Sequence, residues 1–232
     1  TSAMAHERQE VVDDLKRVMD LAAELGCHRI TTCPLNDGSD YIFEMDYVKS
    51  LDYAAETFAP ACSHLPETNI CIEYKISEPR VRCMFGNAGE TAAFCQFVGA
   101  DNLGATFDIG HSLLAGERPA YAAALLSKTN RLFHVHLNDN EGKMDWDLLP
   151  GAYHIWEFVE LFHYLKKLGY KDDWIAYDIF PKEHDTVETF NTAISLTRKL
   201  EQMNESIDLD KMEELLTERN PNKSMEYLFS LI

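Results

Sequence analysis

Five short apolar runs, rich in β-branched and aromatic residues, begin near residues 28, 69, 104, 131 and 174, and a segment with helical period separates each from the next. Strands that alternate with helices cannot pair as hairpins. Their crossovers make them parallel and right-handed, so the sheet is either doubly wound or closed as a (β/α)8 barrel. The helical segments are distinct. Val11, Leu15, Val18, Leu21 and Leu25 recur at three and four before Gly26, and further helices are predicted over 43–60, "GETAAFCQFVG", "AYAAALLSKTN", 155–168 and 187–203. The strands are predicted at about 28–33, then "NICIEYK", "GATFDIGH", "RLFHVHLND" and "DWIAYDIF". Polar residues collect at their C-terminal ends: Glu73, Asp108, His136 and Asp178. That is the face on which barrel enzymes carry their sites, so the expected fold class is α/β, a TIM barrel. Closure takes eight strands and this sequence offers about five, starting on a helix, so about three N-terminal strands are expected to be lacking or supplied by a partner. Residues 1–203 are read as the partial barrel. Residues 204–232 form a C-terminal helical arm, packed on another subunit or lying on the surface.

Composition narrows the partners. With 46% hydrophobic residues in 232, one sizeable core is expected. Lys and Arg number 21 against 39 Asp and Glu, a formal net charge of -18, which disfavours nucleic acid and leaves carboxylates for divalent cations. The six cysteines show no CxxC spacing and read as reduced core residues of a cytoplasmic protein. No stretch reaches the roughly 18 apolar residues of a membrane span, and the polar start does not read as a signal peptide.

In "CIEYKISEPR", Glu73 and Lys75 lie two apart on one strand, so a carboxylate and an ammonium leave the same face. "FDIGHS" sets Asp108 and His111 three apart where a strand turns, "FHVHLND" puts His134 and His136 on one face, and "KMDWDLL" spaces Asp145 and Asp147 by two. Each has a plain structural reading: an ion pair, a satisfied core histidine, a helix cap. Together they give oxygen and nitrogen donors without thiolates, suited to Mn²⁺, Mg²⁺ or Co²⁺, in number enough for two ions sharing a carboxylate.

These motifs also carry a resemblance. "IEYKISEPR" resembles the Glu-x-Lys-x-x-Glu-Pro-Arg segment of xylose isomerases. "GATFDIGHSLLAGE", "LFHVHLNDNEGKMDWDLL" and "AYDIFP" are similar to the metal-ligand strands that follow it, in order, over roughly residues 1–200. The resemblance implies that Glu73, Asp108, His136 and Asp178 hold one metal, and that Asp108 bridges to a second held also by His111, Asp145 and Asp147. It implies that Lys75 hydrogen-bonds the C1 oxygen of a sugar. Asp108 stands where xylose isomerases usually have Glu, and His136 where they have Asp, as in the rhamnose isomerase branch and the ketose 3-epimerases.

The function expected from the resemblance is a two-metal aldose-ketose isomerase, a hydride shift between C1 and C2 of a monosaccharide, with Lys75, Glu73 and Asp178 as candidate catalytic groups. A dimer or tetramer of identical subunits is implied with it. Two alternatives stay open: a single-metal ketose 3-epimerase with Glu73 and Asp178 as the proton-transferring pair, and an incomplete barrel that serves a partner without catalysis. A zinc endonuclease shares the barrel, but the acidic charge argues against it.

Overall fold

The computed structural model describes residues 1–34, 37–78, 80–170 and 174–231. Pro79 of the "SEPR" motif and Asp173, which opens the last predicted strand segment, lie outside the described residues. The chain runs α1 (Ala5–Glu24), β1 (Arg29–Thr32), β2 (Gly38–Ser39), α2 (Tyr47–His64), β3 (Asn69–Glu73), β4 (Ser77–Glu78), β5 (Val81–Cys83), α3 (Ala88–Val98), β6 (Leu103–Asp108), α4 (Ile109–Leu114) and α5 (Pro119–Lys128). It continues with β7 (Leu132–Leu137), α6 (Ile155–Leu168), β8 (Ile175–Tyr177), α7 (Thr186–Glu205), α8 (Leu209–Glu218) and α9 (Pro221–Phe229).

Strands β1, β3, β6, β7 and β8 pair in that order, all parallel. The sheet is a TIM-barrel-like half barrel that lacks some strands of the full fold, and β1 and β8 lie at its edges. Parallel register puts facing residues on one side: Glu73 pairs with Thr106, Thr106 with His134 and Asp108 with His136. Ile70, Ile72, Leu103, Ala105, Phe107, Val135 and Leu137 alternate with these and form the core under the helices.

The inner face is polar from bottom to mouth. Low in the barrel, Arg29 donates to the Phe133 carbonyl at 3.1 Å and meets His134 Nδ1 at 3.2 Å, and the Thr31 and Thr106 hydroxyls share a 2.9 Å bond. A register shift between Ala105 and Thr106 leaves Phe133 against Gly104, where an added Cβ would lie 2.4 Å from the ring.

Two features depart from the sequence reading. The second helix runs to His64 with Pro60 inside it, and it starts at Tyr47 because the Asp46 carboxylate accepts from Lys49 N at 3.2 Å. Strands β2, β5 and β4 form a small antiparallel sheet, and α4 follows β6 directly. Both are too short to show a period. On the far side, α7 meets α6 where Asn204 Nδ2 donates to the Val159 carbonyl at 3.1 Å, and α9 meets α6 where the Trp156 and Phe229 rings lie 5.0 Å apart. Among the described residues no helix is long and apolar enough to cross a membrane.

Candidate metal centre

The four polar residues predicted at strand ends meet at the mouth of the half barrel. Glu73, Asp108, His136 and Asp178 each offer one ligand atom, and these atoms lie within 4.8 Å of one another. His136 Nδ1 is 3.0 Å from Glu73 Oε1, 3.5 Å from Asp178 Oδ2 and 3.8 Å from Asp108 Oδ2. The register places Asp108 and His136 side by side, Glu73 two residues lower on the same face, opposite Thr106, and Asp178 two residues past Ala176, the partner of His136.

The other predicted ligands come from α4, which carries His111, and from one loop, which carries Asp145 and Asp147. Asp108 caps α4, its Oδ1 accepting from His111 N at 2.8 Å, and this turns the His111 ring inward. His111 Nδ1 lies 3.8 Å from Glu73 Oε1 and 4.0 Å from Asp108 Oδ1. Asn138 Nδ2 donates to Asp108 Oδ2 at 2.8 Å, and only a glycine at 110 permits it, because a Cβ there would sit 2.0 Å from Asn138 Oδ1. The Asp-x-Asp loop is closed by a bridge in which Asp139 and Leu148 exchange both backbone bonds. It is tied to the chain after β8, where Phe180 N donates to the Asp147 carbonyl at 3.0 Å and Lys182 Nζ stands 4.4 Å over the Trp146 ring.

Within this loop Asp145 Oδ2 takes His111 Nε2 at 3.0 Å and Lys75 Nζ at 2.8 Å; Lys75 also pairs with Glu78. His134, the remaining histidine of the pair on β7, stands below the centre beside Arg29.

Electrostatics follow from this crowding. Burial pushes Asp108 up to about 6 even though His111 opposes it. Burial would lower His111, but Asp108, Asp145 and Glu73 override it and raise the imidazole to about 9. His136 reaches about 10 in the same way, burial being outweighed by its bonds to Asp178 and Glu73. Asp145 falls to about 2, since His111 and Lys75 outweigh its burial. Asp147 goes the other way, to about 7, through burial and the carboxylates of Asp145, Asp178 and Asp108. Cys33, which the sequence did not single out, lies close enough to Glu73 and Lys75 to feel both, and its thiol is raised mainly by burial.

The donor set fits divalent cations. The chain supplies carboxylates and imidazoles without a thiolate, while His111 Nδ1 and Asp145 Oδ1 are buried with no hydrogen-bond partner. A cavity of about 770 Å³ between α6 and the C-terminal helices is lined by none of the seven residues.

Three comparisons bear on this arrangement. A family model described as a xylose isomerase-like TIM barrel matches residues 1–200. An uncharacterized protein, MJ1311 of Methanocaldococcus jannaschii, is 29% identical over 160 residues, 61% of this chain and 54% of that protein, so the chain spans about half the length of this curated relative. A crystal structure of a D-tagatose 3-epimerase-like protein superposes with a TM-score of 0.74 at 22% identity, covering 88% of this chain and 73% of that one. A xylose isomerase domain protein from Alicyclobacillus acidocaldarius subsp. acidocaldarius gives 0.68 at 21%, covering 85% and 72%.

Proposed function

The chain belongs to the xylose isomerase-like TIM barrel family, and on that premise we propose that it carries the site of a divalent-metal-dependent aldose-ketose isomerase acting on a monosaccharide. Glu73, Asp108, His136 and Asp178 would hold one cation, and His111, Asp145 and Asp147, with Asp108 shared, a second. Mn²⁺, Mg²⁺ and Co²⁺ suit such donors. The chemistry such cations would supply is Lewis-acid polarisation of the sugar's C1 and C2 oxygens, which would suit a shift of hydrogen between those carbons with its electron pair.

The chain's own residues have separate tasks. An ammonium has three donors; Lys75 directs N–H groups at Asp145 and Glu78 and retains a third for the C1 oxygen. Asp145 holds that ammonium and the His111 ring in a fixed relation. Glu73 and Asp178 bracket His136 and fix its ring plane. The observation that carries the reading is the second donor set beside the first. Burial and three neighbouring carboxylates raise Asp147 to about 7, and the buried His111 Nδ1 and Asp145 Oδ1 have no hydrogen-bond partner, which supports a second cation there.

A single-metal ketose 3-epimerase is the second reading, favoured by the compactness of the four-residue group alone. Glu73 and Asp178 would then move a proton off and onto C3. Sugars labelled with deuterium at C2 separate the two. Conversion to ketose with the label retained in the product supports the isomerase. Label lost to water, or a C3 epimer as the product, overturns it.

A further inference from the structure

One half-buried carboxylate takes no part in the centre and yet touches the neighbours of three of its residues. Glu117, on the turn between α4 and α5, accepts from the Tyr74 hydroxyl at 2.9 Å and the Ser112 hydroxyl at 2.9 Å through Oε2, and from Ala88 N at 3.0 Å through Oε1. Tyr74 lies between Glu73 and Lys75, Ser112 follows His111, and both are fully buried. Ala88 is the first residue of α3, so the carboxylate also meets a helix N-terminus.

The geometry of strand and helix makes these contacts consequential. Side chains alternate across a strand, so a Tyr74 held outward under the helices fixes the roll that directs Glu73 and Lys75 into the mouth. Successive helical residues point about 100° apart, so a Ser112 held toward Glu117 sets the rotation of α4 and with it the direction of His111. The α4 helix has only six residues, and its start is already fixed by the Asp108 cap. Glu117 fixes its far side.

We propose that Glu117 is a positioning residue of the metal centre, which sets the separation of the β3 ligands from His111 through Tyr74 and Ser112. This rests on the reading of Glu73 and His111 as metal ligands. A half-buried carboxylate that accepts from three donors is held in one geometry, and any partner group removed from it leaves a desolvated oxygen unpaired. Partners behind metal ligands typically change affinity by about ten- to hundredfold when removed.

The test is Mn²⁺ calorimetry and the visible spectrum of the Co²⁺ form on the whole chain, with thermal melts alongside. Glu117→Ala should weaken binding at the His111 side by about ten- to hundredfold and alter the Co²⁺ spectrum, with Glu117→Gln partly restoring both. Tyr74→Phe and Ser112→Ala, each losing one hydroxyl, should show smaller losses in the same direction, and they carry the test if Glu117→Ala does not fold. Lower melting temperatures with unchanged Mn²⁺ affinity and Co²⁺ spectra throughout the series would overturn the proposal and leave the metal reading intact. A wild-type chain that binds no Mn²⁺ would overturn both.

Discussion

Asp145→Asn is the substitution that tests the centre most directly, because the amide keeps the shape of the carboxylate and removes only its charge. Asp145 holds two charge-assisted bonds, to Lys75 Nζ at 2.8 Å and His111 Nε2 at 3.0 Å, with its side chain 12% exposed. Hydrogen bonds to charged groups contribute on the order of 1.5 kcal/mol or more each, so the metal-free chain should lose about 3 kcal/mol. Relief of the repulsion on Asp147 returns part of that, leaving a loss of about 2 kcal/mol. Urea unfolding in the presence of a chelator measures it. Calorimetry with Mn²⁺ measures the other consequence, a fall from two sites per chain to one, since Glu73, Asp108, His136 and Asp178 are left in place. Unchanged stability would refute the clamp, and two sites of unchanged affinity would refute Asp145 as a ligand of the second cation.

Two further outcomes are expected. Lys75→Met should reduce turnover by well over tenfold while shifting Mn²⁺ affinity little, because the ammonium faces the substrate; a collapse of metal binding in calorimetry would make it a structural partner of Asp145 and Glu78 instead. His163, 5% exposed, is held below the ordinary histidine range by burial and by Lys167 and Lys166. The unfolded chain therefore binds the proton first as pH falls, and stability declines below about pH 6.5. His163→Leu should flatten that part of the profile in urea melts at pH 5 and 7, and an unaltered slope would show that the group does not titrate in this range.

How much of this was legible in the sequence depends on the range of the interaction. The alternation of apolar runs with helical periods located five parallel strands, since period is a local property of the chain. Motif spacing singled out Glu73, Asp108, His136 and Asp178 because each ends a strand, and strand ends of one barrel converge. The small β2–β5–β4 sheet and α4 were not legible, being too short for periodicity, and the start of α2 was decided by the Asp46 cap. Nothing local marks Asn138 as the donor to Asp108, or Gly110 as the glycine that makes room for it.

Residue types and their order determined the donor chemistry, since oxygen and nitrogen ligands without thiolates can be read one position at a time. Tertiary structure alone decided which of those donors share a hydrogen-bond shell. Asp145 meets Lys75 and His111 across 70 and 34 residues of chain, and Glu117 meets Tyr74 across 43. Contacts of that kind arise when helices pack on a sheet at a fixed register, and a register is a property of the assembled strands rather than of any one of them.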